Sequence, residues 1–335
     1  MRAKRYFIVG GAGFIGSHFT DRLLSATEIA GLPSTVEVES VTLFDNFSSG
    51  RDWHFGHHNK DKRFRVVRGE VSDLSLLTQS MRGHDLVIHL ASNPDIARAA
   101  TEPDIDFREG TFLTQNVLEA MRVSETKQIL YASGSGIYGD IGETEAHENF
   151  APLIPVSTYG ASKLAGEALI SSYCYMFDMM ACCFRFGNVV GPRQTHGVGF
   201  DFARRLLQDS SVLRILGDGS QSKSYIHVFD VLEAVLLAKD KAVSPFQAFN
   251  VATGDYITVS EIAHLAVECC GIQSGQTQFE YTGGNRGWKG DVPIVRLNTD
   301  RIKSLGWRCK RTSKEALRQS IEAMILDIKE GRMGQ

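Results

Sequence analysis

The segment Val9-Gly10-Gly11-Ala12-Gly13-Phe14-Ile15-Gly16 sets Gly10, Gly13 and Gly16 three residues apart, between an apolar run at 5–10 and a helical pattern over 14–25. A strand that turns straight into a helix, with no side chains at the corner, opens a βαβ unit. Its bare backbone N–H groups then stand at the positive end of a helix, where they suit a pyrophosphate. Taken alone, such glycines mean no more than a tight turn. Flanked by a strand and a helix, they point to a bound dinucleotide.

The first half of the 335-residue chain keeps that rhythm. Apolar, β-branched runs at 38–45, 64–68, 85–91, 128–133 and 181–186 alternate with helical stretches near 73–82, 110–123 and 159–176. The alternation predicts an α/β fold of Rossmann type, a doubly wound parallel sheet with helices on both faces. Past Asn188 the pattern loosens, Gly191-Pro192 interrupts the chain, and a helix is expected over 197–209. Thr258 with Glu261, and Thr312 with Glu315, announce two further helices by the capping-box spacing, the first of them ending at Gly271. The expected division is a dinucleotide-binding domain over 1–187, with 225–252 returning to it, and a smaller mixed α/β substrate domain over 188–335.

Charge excludes some partners. The formal net charge is -3 and the cations are dispersed, so no basic field exists for nucleic acid or an anionic membrane. No apolar run approaches the roughly 18 residues of a membrane span. The first strand-like run begins almost at the N-terminus without a signal-peptide pattern, and the six cysteines make no C-x-x-C pair. A reduced, cytoplasmic setting is therefore expected. His54, His57 and His58 fall in a polar loop with no Cys or carboxylate at ligand spacing, and are expected to be solvated rather than to hold a metal.

Two further features carry chemistry. The second strand ends in Asp45-Asn46, where a carboxylate can accept hydrogen bonds from both adenosine ribose hydroxyls and would repel a 2′-phosphate. NAD is favoured over NADP, with Arg51 the one nearby cation that could oppose this. Asp45 lies 29 residues past Gly16, more than the usual ~20, and the loop Gly31-Leu32-Pro33-Ser34 is the expected source of the excess. Tyr159 and Lys163, four apart, share one face of a helix. A phenol titrating near ~10 is a poor base at neutral pH, but an adjacent ammonium and a cationic cofactor ring favour its phenolate. Without the preceding motifs the pair would read as a buried Tyr beside a snorkelling Lys.

In order along the chain, Gly10–Gly16, Asp45-Asn46, His89-Leu90-Ala91-Ser92, Tyr138-Gly139, Tyr159–Lys163, Arg185-Phe186-Gly187-Asn188, Gly191-Pro192-Arg193 and Tyr225-Ile226-His227-Val228 stand at the expected spacings. This set closely resembles the extended short-chain dehydrogenase/reductase family, specifically its nucleotide-sugar epimerases and dehydratases. The resemblance implies NAD contacts at Gly10, Gly13, Phe14, Ile15, Gly16, Asp45, Asn46, Ser49, Gly50, Glu70, Val71, Leu90, Ala91, Ser133, Tyr159 and Lys163. It implies Tyr159 as general base toward a sugar hydroxyl, and Asn188, Lys223 and Arg286 as contacts to a nucleotide diphosphate. Gln194, His196 and Lys289 are added as candidate substrate contacts on their polarity and position, and Trp288 as a possible stacking partner. A homodimer through 110–123 and 159–176 is also implied.

The chain departs from the pattern in places. Gly134 stands four residues before Tyr138, where the family has a Ser or Thr, so Ser133 and Ser135 become the candidates to reach the reacting hydroxyl. Ser135 and Gly136 occupy the places of the Asp and Glu of 4,6-dehydratases, and decarboxylating relatives commonly have a Glu there. Glu70 replaces an Asp, and Phe107 an Asn. Epimerisation at C4 of a UDP-linked sugar needs no extra acid and leads on that ground. The alternatives are a dehydratase, decarboxylase or reductase of the same family, or a non-catalytic NAD-binding regulator.

Overall fold

The computed structural model describes residues 3–25, 38–93 and 95–332. The loop 31–34 thus lies outside the described residues. Strand β1 (Arg5–Val9) passes into helix α1 (Phe14–Leu24), followed by β2 (Ser40–Asp45), β3 (Phe64–Arg68), α2 (Leu74–Met81), β4 (Leu86–His89), α3 (Leu113–Val123), β5 (Gln128–Gly134) and α4 (Thr158–Met176). Strands Met180–Phe186 and Phe246–Val251 complete a seven-stranded sheet in the order Phe246–Val251, Met180–Phe186, β5, β4, β1, β2, β3. All its pairings are parallel. The order reverses direction between β1 and β4, which opens a crevice above the carboxyl ends of these strands.

Each face of the sheet packs a separate apolar layer. Phe7, Val87, Ile129 and Met121 belong to one, and Ile8, Leu43, Ile88 and Phe184 to the other. That alternation along single strands is the two-residue period of a sheet buried on both sides. Helix Val228–Lys241 covers the second face beside α1. Residues 225–227 do not join the large sheet, but pair in parallel with Asn188–Val190 in a two-stranded ribbon. Ile302 and Trp307, far along the chain, also return to this layer, and the Trp307 indole N–H donates to the Asp230 carbonyl at 3.1 Å.

A third core gathers Phe202, Leu206, Leu213, Ile262, Leu265, Leu317, Ile321 and Met324 from helices Val198–Gln208, Val259–Cys269 and Ser313–Lys329 and a short strand between them. Both capping boxes form: Thr258 with Glu261, and Thr312 with Glu315. Gly271 follows the first of these helices with φ 73°, a left-handed closing residue that glycine adopts without a Cβ clash. Among the described residues no helix is long and apolar enough to cross a membrane.

The histidine loop departs from expectation. His54 is fully buried, with Nδ1 2.8 Å from the Ala12 carbonyl, so it braces the glycine turn instead of facing water. Asp21, on α1, brings a carboxylate that sequence spacing does not reveal to His57 and His58, at 2.8 and 2.7 Å. These three offer ligand atoms within 4.8 Å of one another. The same carboxylate pairs with the Arg193 guanidinium at 2.8 Å, and that cation opposes a metal ion there.

Candidate active site

A cleft of about 540 Å³ runs across the carboxyl ends of the central strands, a size usual for small-molecule sites. The glycine turn forms its floor. Gly10 has φ 77°, and a Cβ on it would sit 2.7 Å from the Ala91 nitrogen. A Cβ on Gly16 would meet the Gly10 carbonyl oxygen and the Gly11 Cα, both at 2.7 Å, so only glycine lets α1 approach the turn this closely. Gly13 is the helix N-cap, without a side-chain cap. A Cβ there would meet only the Gly10 oxygen at 3.4 Å, which leaves the first-turn N–H groups open to an anion.

At the end of β2 the Asp45 carboxylate accepts from the Ala12 N–H at 2.9 Å and the Phe47 N–H at 2.7 Å. Those bonds fix its direction, and each oxygen keeps a lone pair for a diol. Asn46 donates to Glu70 at 3.0 Å. Both line the cleft with Ser49, Val71, Leu90 and Ala91, as do Phe14 and Ile15 from α1. Gly50 is not in the lining. A Cβ there would meet Ala12 Cβ at 2.6 Å and Asp45 Oδ1 at 3.0 Å, so it lets the following loop close over the carboxylate. Arg51 turns its guanidinium to the Gly50 carbonyl and is likewise absent from the lining. A bare anion cradle, a fixed acidic strand end and the apolar lining of Val71, Leu90 and Ala91 fit a dinucleotide with free ribose hydroxyls, as NAD has.

Helix α4 is capped by Ser157, whose hydroxyl accepts from the Gly160 N–H at 3.1 Å. Tyr159 and Lys163 therefore stand in its first turns, and both face the cleft. The Lys163 ammonium donates to the Ala132 carbonyl at 2.9 Å and lies 5.5 Å from the Tyr159 ring centre. One of its three N–H groups is thereby used, leaving the others for a ribose or the phenol. Burial lowers its pKa to about 8, against the raising pull of the Asp106 carboxylate. Burial likewise pushes the Tyr159 phenol up to about 12, the neighbouring Ser92 hydroxyl works against this, and Asp106 adds to the rise. A positive charge brought beside the ring would favour its phenolate.

Several predicted site residues behave differently. The Ser133 hydroxyl donates to Glu167 at 2.5 Å, so its proton is committed to a buried network. Ser133 borders the cleft with its acceptor positions alone left for a ligand. Ser135 stays in the lining at the start of a short 3-10 turn, beside Gly134. Arg286 points to Asp140 and the Asp291 carbonyl rather than into the cleft. Lys289 is exposed and outside the lining, whereas Trp288 is within it. Lys223 faces the cleft paired to Asp291 at 2.6 Å. Asn188 lines the same wall, beside the Tyr225 phenol. Gln194, buried, accepts from the Ser320 hydroxyl at 3.2 Å, and His196 lies exposed at the rim.

Sequence reasoning missed two participants. Ser92 was legible only as part of a motif, not as a partner of Tyr159. Asp106 carried no signal at all. It is 1% exposed, and its two oxygens accept from Asn93 at 2.9 Å and from the Thr158 hydroxyl at 2.7 Å. Phe107 beside it is 61% exposed, in a π-helical turn, Phe107–Phe112, that leads into α3.

Residues 6–252 match the model of the NAD dependent epimerase/dehydratase family. A putative UDP-glucose 4-epimerase of Methanocaldococcus jannaschii is 28% identical over 95% of this chain and 97% of its own length. A dTDP-glucose 4,6-dehydratase of an Actinoplanes species is 29% identical over 82% of this chain and 84% of its own. A crystal structure of a UDP-galactose 4-epimerase superposes with a TM-score of 0.83 at 32% identity, covering 97% of this chain and 99% of that one. With the glycine cradle, the acidic strand end and the Tyr–Lys pair in one cleft, the chain belongs to the NAD-dependent epimerase/dehydratase family.

Proposed function

We propose that this protein inverts C4 of a UDP-linked sugar with NAD held in the cleft, through a transient 4-keto sugar. The observation that carries the reading is the Tyr159–Lys163 pair facing the cleft opposite a strand end, Gly134-Ser135-Gly136, that bears no carboxylate. When bound, oxidised NAD supplies a cationic ring that takes up a hydride from the sugar carbon and gives it back. Tyr159 accepts the proton of the sugar hydroxyl at its phenolic oxygen and later returns it. Lys163 holds the cofactor ribose and favours the phenolate, and Asp45 accepts from the adenosine diol. Asn188 and Lys223 contact the diphosphate, and Trp288 and Gln194 border the sugar or base. Elimination of water would call for an acid and a base next to C5 and C6, and Ser135 and Gly136 offer neither.

Relatives named as 4-epimerases of UDP-glucose and UDP-galactose support UDP as the carrier. Incubation with a panel of UDP- and dTDP-linked sugars tests the assignment. The expected product is the C4 epimer of a UDP-sugar, of unchanged mass, formed without net consumption of NAD or NADH. A product lighter by water or carbon dioxide would replace this reading with dehydration or decarboxylation.

The protein is further proposed to act as a homodimer through α3 and α4. Phe112, just ahead of α3, and Val123 at its end are exposed, as are Tyr175 and Met176 at the end of α4, and large apolar groups left in water favour a partner surface. Sedimentation should give twice the chain mass, and a monomer at micromolar concentration would refute this.

A further inference from the structure

A phenol raised by burial needs help to ionise, and the helper must touch its oxygen. The described side chains near Tyr159 narrow the choice. Lys163 donates to the Ala132 carbonyl and stands 5.5 Å from the Tyr159 ring centre, acting on the phenol through its charge. Ser133 is committed to Glu167. Gly134 brings no side chain, and a Cβ built there meets nothing within 4 Å. Ser92, just beyond β4, is the hydroxyl close enough to the phenol to work against the rise in its pKa, and it lines the same cleft.

The contact is held from both sides. Asp106, buried, accepts from Asn93 with one oxygen and from Thr158 with the other, at 2.9 and 2.7 Å. Asn93 follows Ser92 and Thr158 precedes Tyr159. One carboxylate therefore ties together the neighbours of both hydroxyls, across 52 residues of sequence on the Thr158 side. Asn93 is further fixed by donating to the Asp95 carbonyl at 2.9 Å while the Asp95 N–H donates back to its side chain at 3.0 Å. Such cross-ties limit the rotamers and backbone shifts by which Ser92 and Tyr159 would part.

We infer that Ser92 is a catalytic partner of Tyr159, donating a hydrogen bond to its phenolate while a lone pair of the same hydroxyl accepts from the sugar hydroxyl that is to lose its proton. Hydroxyls carry one donor and two acceptor positions, so both bonds form at once. As the sugar O–H breaks, its proton passes to the phenolate either directly or by exchange through Ser92, whose own proton moves to Tyr159 as the sugar's replaces it. In either case one sugar O–H is lost, one phenol O–H is gained, and Ser92 ends as it began. This role rests on the proposed alcohol oxidation by Tyr159 and adds a residue to it.

The test is Ser92→Ala and Ser92→Thr in the full-length, NAD-loaded protein, assayed beside the wild type on UDP-glucose and UDP-galactose. Loss of a hydrogen bond to a charged oxygen should lower kcat about ten- to a hundredfold, with KM changed less than about threefold. The acid limb of the pH–rate profile should move upward, because the phenolate has lost a stabilising donor. Ser92→Thr, which keeps the hydroxyl, should recover most of the rate. A Ser92→Ala enzyme with wild-type kcat and an unmoved profile overturns the assignment. If the wild type itself turns over neither sugar, the functional reading fails separately. Ultraviolet difference titration against Tyr159→Phe then decides the matter for Ser92: its alanine variant should raise the Tyr159 midpoint by about one pH unit, and an unchanged midpoint overturns the proposal.

Discussion

Tyr159→Phe should reduce turnover by roughly 10²–10⁴-fold, the range lost when a general base is removed, while the protein keeps its NAD. The ring would remain at the start of α4, so packing changes little and only the phenolic oxygen goes. The cofactor cradle lies elsewhere, in the open N-terminus of α1 and the Asp45 carboxylate fixed by Ala12 and Phe47. Steady-state assays on the UDP-sugar that the wild type accepts, with NAD content read from the absorbance and from the denatured extract, separate the two effects. Retained turnover would remove Tyr159 from the base position. Loss of NAD together with activity would mean that the phenol anchors the cofactor instead of acting on substrate.

Glu167→Ala should cost about 3–5 kcal/mol of unfolding free energy, the usual penalty for leaving a buried charge without its partner. Glu167 and Arg185 are each about 5% exposed and meet in a bidentate pair, Nη2 to Oε2 at 2.7 Å and Nε to Oε1 at 3.0 Å. Glu167 also accepts from Ser133, and Arg185 donates to the Tyr138 hydroxyl at 2.8 Å and the Glu148 carbonyl at 2.9 Å. Tyr138 in turn donates to Asn250 at 2.7 Å. One alanine would thus strand a guanidinium between α4, the end of β5 and two sheet strands. Urea unfolding should show a large drop in midpoint, and the double replacement Glu167→Met/Arg185→Met should lose less than the single change, since no charge is left unpaired. A single-variant loss below about 1 kcal/mol would mean that water reaches the site and screens it.

Features set by short spacing were legible from the amino-acid order. The glycine turn, Asp45 and the Tyr159–Lys163 face each depend on a few consecutive residues whose geometry is fixed by the local backbone, and the parallel sheet follows from the alternation of runs. Features set by distant partners were hidden. Arg286, expected by resemblance to meet a phosphate, is drawn aside by Asp140, 146 residues earlier. Ser133 looked free until Glu167, 34 residues on, took its hydroxyl. His54 sits in a polar stretch of sequence, but the Ala12 carbonyl 42 residues away gives it a reason to be inside. Side-chain type records what a group can do, whereas the partner that decides what it does comes from elsewhere in the chain.

The edge strand Phe246–Val251 sets a condition on how the chain assembles. Its register against Met180–Phe186 runs from Phe246 on Ala181 to Val251 on Phe186, so a nascent polypeptide that has reached only Gly187 displays a row of unpaired amide and carbonyl groups flanked by Cys182, Cys183 and Phe184. Such a row invites pairing with other chains. Synthesis must deliver some sixty further residues before the growing molecule can seal that border.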